Sequence, residues 1–360
     1  MTYVTPSLLK TKQHISILDG LRGVAALAIV AFHFLEMVFD FEHNFLGHGF
    51  LAVDFFFCLS GFVIAYAYDD RLGKMGIIEF FKSRVIRLHP LVILGSVLGL
   101  LSFLFDPFSN TAAQYSIGKI ALLFITSALL IPFPSMGERA FNLFGLNAPA
   151  WSLFWEYVAN IVYAFVLYKL PKKYLLLLTS LAAVMLFSVA FRTGSLLGGW
   201  AGANFWDGGA RIFYSFLAGL LIYRCNWRIK NRLGFLGLSL MLLLAFVMPF
   251  PGYSWLLELL VVLFYFPLLV ALGAGSMPTQ KFQKLCAFSG KISYPLYMTH
   301  YVAIWVFSNY YNTYKPRGIE LALIITGGML ALVSLAYLTM ILYDIPVRKY
   351  FSKKRIQQNK

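Results

Sequence analysis

The side chains most able to do chemistry here lie where an apolar environment makes them costly. Arg22 and His33 fall eleven residues apart in SILDGLRGVAALAIVAFHF. At about 100° per residue they share one helix face, three turns and roughly 16 Å apart. A guanidinium at the mouth of a span and an imidazole deep on the same face suit a long anionic ligand threaded along the helix. The imidazole then serves as general base or transient acyl carrier. Asp54, in AVDFFFCLSGFVIAY, comes at a similar depth on the next, antiparallel helix. It is expected to fix the tautomer of His33 and stabilise its protonated form, as the acid of a Ser-His-Asp triad does. Ser60-Gly61 in the same run gives a small surface for close helix approach.

Two more strings add charge and aromatic rings. FFKSRVIRLHP sets Arg84 and Arg87 at i and i+3, neighbours on one helical face. Two guanidiniums make a bidentate phosphate site, and with Arg22 they form a cluster at one membrane surface. In APAWSLFWEYVANIVYAF, Glu156 lies one to two turns into a span from the outer side, beside Trp151 and Trp155. An acid with rings to stack on suits a sugar; the tryptophans read equally as an interfacial belt. His300, in ISYPLYMTH, is either a bundle hydrogen bond or a substrate contact. The expected catalytic set is His33, Asp54 and Glu156; Trp151, Ser152, His300 and Ser60 are the expected substrate contacts.

The elements that must position these residues follow from composition. The 360 residues carry 30 Lys and Arg against 15 Asp and Glu, a net charge of +15, and 60% are hydrophobic. Charged residues are 12%, about half the share in a soluble domain. This excludes a soluble enzyme, a disordered chain and a nucleic-acid binder, whose basic residues would form one stripe on a soluble fold. Eleven apolar runs stand out: 21–39, 50–68, 88–105, 117–133, 150–168, 174–191, 210–224, 234–249, 255–273, 292–311 and 318–342. The first follows Lys10 and Lys12 and is too long for a signal peptide's apolar region.

If all eleven crossed, Lys169, Lys172 and Lys173 would lie opposite the other basic loops. If 117–133 does not cross, 23 of the 30 basic residues fall on one side and 5 on the other, with Arg22 and Arg211 inside spans. The expectation is therefore an all-α polytopic bundle of about ten spanning helices plus one re-entrant or interfacial helix, with both termini cytoplasmic. Residues 1–345 form the membrane domain and 346–360 a basic cytoplasmic tail that touches anionic lipid headgroups. Cys58, Cys225 and Cys286 have no partner spacing, and no metal site is implied.

The strings SILDGLRGVAALAIVAFHF, AVDFFFCLSGFVIAY, FFKSRVIRLHP, APAWSLFWE and ISYPLYMTH, in that order, resemble the acyltransferase 3 family over residues 16–300. The family's Arg–ten residues–His motif falls on Arg22 and His33. Its Arg-x-x-Arg motif falls on Arg84 and Arg87, and its Ser-Gly-Phe motif on Ser60, Gly61 and Phe62. The resemblance implies a bacterial inner-membrane enzyme of the stand-alone type, lacking the fused esterase-like domain of many members. It implies acyl-CoA, usually acetyl-CoA, as co-substrate rather than a resident cofactor. It also implies acylation of a glycan or lipid-linked sugar, as in lipopolysaccharide or exopolysaccharide. A transporter using buried Arg, His and Glu as a relay is the competing expectation.

Overall fold

The computed structural model describes residues 15–277 and 279–358; Lys10, Lys12 and Lys360 lie outside the described residues. All eleven apolar runs are helical, and the described residues contain no sheet, only an isolated bridge between Asn142 and Ala201. The helices are α1 (Ser16–Glu36), α2 (Ala52–Tyr68), α3 (Ile77–Leu104), α4 (Ile117–Ala128), α5 (Ala150–Phe165) and α6 (Lys172–Thr193). Then follow α7 (Phe205–Arg224), α8 (Gly234–Phe246), α9 (Ser254–Gly275), α10 (Gln280–Tyr314), α11 (Gly318–Thr339) and α12 (Ile345–Gln358). A π-helical turn at Met340–Asp344 joins α11 to α12. Six helical stretches, those of α1, α2, α3, α6, α9 and α11–α12, are long and apolar enough to cross a membrane. In hydrocarbon only helices and closed barrels satisfy every backbone group. The protein is a multi-pass membrane bundle.

Burial sorts the helices. The apolar windows of α1 and α2 are 72% buried, whereas those of α6 and of α11–α12 are 33% and 17% buried and turn leucines outward. α1 packs along α10 and α2 along α7, and both contacts depend on glycine. A Cβ on Gly23 would lie 1.7 Å from Ser289 Oγ, and one on Gly61 would lie 2.0 Å from the Phe216 carbonyl oxygen. Removing the side chain at these two points lets the backbones approach closely, which fixes the height of Arg22 and Ser60 in the bundle.

The basic clusters gather at one end, here the arginine end. Arg224 pairs with Asp69 at 2.7 Å and donates to the carbonyls of Leu167 and Leu170, bringing the turn after α2, the loop at 167–173 and the end of α7 together. Arg355 pairs with Glu79 at 2.7 Å, so the segment expected as a polar tail is a helix docked on α3. The opposite end holds the stretch 106–149. There Asn309 donates to Asp106 at 2.7 Å and Leu143 N to the Trp200 carbonyl at 2.8 Å.

α4 has twelve residues, about 18 Å, against a hydrocarbon core of about 30 Å. Tyr115 just before it donates to Glu138 after it at 2.9 Å, so the chain enters and leaves α4 at one end of the bundle. That is the geometry of a re-entrant or interfacial helix. α8 is nearly as short, with thirteen residues, but it changes ends. Asn231 before it donates to the Leu272 carbonyl at the arginine end, and the Phe246 carbonyl accepts from His48 N at the other.

Candidate active site

At the arginine end, α1, α2, α3, α5 and α10 enclose a slot of about 120 Å³ whose lining includes Arg22, Ser60, Arg84, Arg87, Glu156 and Ser293. The close seating of α1 on α10 fixes Arg22. It donates to the Gly290 carbonyl at 2.6 Å and Ser293 Oγ at 2.9 Å, and pairs with Asp19 at 3.0 Å. Arg84 Nη2 donates to Glu156 Oε1 at 2.7 Å, and Ser60 Oγ donates to the same oxygen at 3.0 Å. Arg84 Nε is buried without a partner. Arg87 makes no ion pair among the described residues. Three arginines thus face two acids, leaving one cation and an orphaned donor for an anion with several oxygens.

Further along the bundle lies a second, larger cavity of about 510 Å³, within the usual range for small-molecule sites. His33, Glu36, Arg139, Trp151, Arg211 and Trp305 line it. Glu36, one turn after His33 on α1, hydrogen-bonds His33 Nδ1. In the tautomer whose Nδ1 donates to Glu36, His33 Nε2 carries the lone pair. The His33 ring stacks on His300 at 5.3 Å and meets Tyr301 edge-on at 4.8 Å. His300 Nδ1 lies 2.8 Å from the Tyr297 carbonyl, which can only accept, so the lone pair of His300 is also on Nε2. That Nε2 is buried with no partner. Arg139 donates to the Gly145 carbonyl and is held between Phe103 at 4.9 Å and Trp305 at 5.0 Å. Burial pushes its guanidinium down to about 10, which leaves it a cation at neutral pH.

Val53 and Tyr297 line both cavities and form the wall between them. The Tyr297 hydroxyl lies 2.8 Å from Ser152 Oγ. Ser152 spends its one proton on the Pro149 carbonyl at 3.0 Å, so Tyr297 is the donor.

The structure regroups several residues expected from the sequence. Asp54 does not reach His33. It holds Arg211, Oδ2 to Nη2 at 2.5 Å and Oδ1 to Nε at 3.1 Å, and the acid on His33 is Glu36. Asp54 and Arg211 are 0% and 1% exposed, and a buried carboxylate takes the full countercharge rather than a titratable ring. Glu156 is not an outer-side sugar ligand between tryptophans; it sits on Arg84 in the arginine slot. Helical period explains this. Trp151 and Trp155 are one stripe of α5, while Ser152 and Glu156 are the next stripe, turned by about 100°. Trp151 lines the histidine cavity and stacks on Arg211 at 5.3 Å, whereas Trp155 is buried against Phe205 at 4.9 Å. Ser60 and Ser152 face the arginine slot, and His300 joins His33.

A family model described as an acyltransferase domain matches residues 15–341. The chain belongs to the acyltransferase 3 family. It is 37% identical over 183 residues to Protein 2 in picA locus of Rhizobium radiobacter, covering 48% of this chain and 93% of that protein. It is 24% identical over 365 residues to O-acetyltransferase OatA of Staphylococcus aureus, covering 92% of this chain and 57% of that protein. It is 30% identical over 165 residues to Acyltransferase MdmB of Streptomyces mycarofaciens, covering 43% of this chain and 40% of that protein. No solved structure matches the chain.

In this acyltransferase bundle, three site residues escape the sequence patterns. Glu36 stands at i+3 from His33, a spacing that places it on the same face, but an acid in the last turn of a span reads as solvent-facing. Arg139 sits in a loop between apolar runs, outside every motif string. Tyr297 is one of 21 tyrosines, and nothing in its local string marks it as a wall.

Proposed function

We propose that the protein transfers an acyl group, acetyl in the simplest case, from cytoplasmic acyl-CoA to a hydroxyl of a cell-surface or exported glycan. It works in the bacterial inner membrane with both termini cytoplasmic. The observation that carries this reading is the pair of cavities sharing one wall: a slot with an uncompensated arginine, and a roomy chamber with an oriented histidine. The nucleotide phosphates bind at Arg22, Arg84 and Arg87, while Glu156 and Ser60 hold the Arg84 fork. The slot is too narrow for a nucleotide and admits an extended arm, which brings the thioester past Tyr297 toward His33. Asp54 keeps Arg211, and through it Trp151, in the wall of the acceptor chamber. Trp151, Trp305 and the carboxylates of that chamber offer stacking faces and acceptors for a sugar.

His33 Nε2 takes the proton of the acceptor hydroxyl as its oxygen attacks the thioester carbonyl. Glu36 stabilises the imidazolium that results. The tetrahedral intermediate collapses with cleavage of the C–S bond, and the leaving thiolate takes the proton back from His33. The products are an O-acyl ester and free CoA. The names of two relatives, an O-acetyltransferase and an acyltransferase, support the reaction class.

The test uses membrane vesicles supplied with acetyl-CoA labelled in the acetyl group. Label should appear on a glycan with the wild-type protein and not with His33→Ala, at equal amounts of inserted protein. Passage of a solute with no label transfer would instead make the protein a transporter.

A further inference from the structure

The segment after α11 contributes to the arginine end. The Tyr343 hydroxyl donates to the Pro90 carbonyl at 3.1 Å, and Arg355 Nε pairs with Glu79 Oε2 at 2.7 Å. The two anchors lie 12 residues apart on one segment and 11 apart on α3, in opposite directions, so the pieces run antiparallel in near-equal register. Arg348, five residues past Tyr343, therefore falls opposite position 85 of α3, between Arg84 and Arg87. Asp344 one turn earlier holds it, Nη2 to Oδ2 at 2.6 Å, and the other oxygen of that acid is buried without a hydrogen-bond partner. Side-chain exposure rises from 7% at Arg84 to 21% at Arg22 and 27% at Arg348. Arg348 is the most exposed of these three, level with Arg84 and Arg87 along α3 but not itself part of the slot's lining.

We infer that Arg348 is a donor-binding residue at the rim of the slot and reads the 3′-phosphate of the CoA ribose. This rests on the proposal that acyl-CoA is the donor. CoA carries a diphosphate next to its pantetheine arm and a third phosphate on the ribose, further from the thioester. If the arm enters the slot, the diphosphate meets Arg84, Arg87 and Arg22, and the ribose phosphate is left at the rim. Arg348 releases Asp344 in part to take it, while Asp344 keeps the guanidinium aimed at the slot. The C-terminal helix is then part of the donor site, not only a basic segment beneath lipid headgroups.

The experiment measures CoA and 3′-dephospho-CoA binding by calorimetry, with the full chain in nanodiscs of neutral lipid. The wild type should bind CoA roughly tenfold or more tightly than dephospho-CoA, the effect of one charge-assisted contact. Arg348→Ala should bring the two within about twofold by weakening CoA alone. Arg348→Lys should keep part of the preference, and it replaces the alanine variant if that fails to fold. Equal binding of both ligands by the wild type, or equal weakening of both by Arg348→Ala, overturns the assignment while leaving acyl-CoA as donor. Absence of binding to either ligand defeats the donor reading itself. In nanodiscs containing phosphatidylglycerol, lost headgroup binding with the CoA preference intact would make Arg348 a lipid contact and also overturn the assignment.

Discussion

Replacing Glu36 by Gln tests the chemistry at its centre. The variant keeps the shape of the side chain and removes its charge. Glu36 is the carboxylate on His33 Nδ1, and both side chains are mostly buried, 18% and 16% exposed. A hydrogen bond to a charged group is worth about 1.5–3 kcal/mol, and 1.36 kcal/mol is tenfold in rate. The lost stabilisation of the imidazolium alone should lower kcat by roughly 10- to 150-fold. A glutamine amide can also donate to Nδ1, moving the ring proton to Nε2, where a base needs its lone pair. The same tautomer error in a hydrolase triad costs about 10⁴. Expected loss therefore lies between roughly tenfold and 10⁴-fold, with KM for acetyl-CoA nearly unchanged because the arginine slot is untouched. Asp54→Asn should behave differently. It strands Arg211, which is 1% exposed, and breaking such a pair costs about 3–5 kcal/mol of stability. The assay is labelled acetyl transfer in vesicles, together with thermal unfolding of the purified variants. A Glu36→Gln enzyme within twofold of wild-type kcat refutes the assignment of His33 as the base oriented by Glu36.

Arg87→Lys keeps the charge and loses the planar fork, so acetyl-CoA binding should weaken and become more sensitive to salt; unchanged affinity from low to high salt would remove Arg87 from the phosphate site. Gly61→Ala forces α2 off α7 and should destabilise by about 1–3 kcal/mol, read as a lowered Tm. In a variant lacking Cys58, Cys225 and Cys286, a cysteine replacing the exposed Ser116 should react with an impermeant thiol reagent from outside. One replacing the exposed Lys172 should react only after the membrane is opened, and the reverse pattern would invert the bundle.

Much of this site is legible in the sequence because lipid makes charge conspicuous. Arg22, His33, Arg84 and Ser60 stand out against long apolar runs, and the structure brings Arg22, Arg84 and Ser60 into one slot. The charge balance of distant loops singles out 117–133 as the run least suited to cross, and its helix has only twelve residues. The pairings do not follow. Asp54 and Arg211 are 157 residues apart, and no local pattern says that a buried acid will choose that arginine over an imidazole on the adjacent helix. The placement of Glu156 was within reach, since its stripe on α5 differs from that of the tryptophans, but proximity in the string hid the rotation. Residues 346–360 read as a polar tail because α12 carries its basic residues all round. Only the anchors at Glu79 and Pro90 show that it is packed.

The wall formed by Val53 and Tyr297 bears on the membrane as an insulator. Two cavities that approach each other from opposite ends of a bundle thin the barrier between the two aqueous phases to the side chains that part them. If an acyl group is handed through that point, as proposed, protons must still be held back there, since they follow any continuous file of water. The Tyr297 hydroxyl is tied to Ser152 and its carbonyl to His300, so the same residue that closes the file is held by hydrogen bonds from both sides. On the proposed route, Val53 and this tyrosine are what keep a path for an acyl group from also becoming a path for protons.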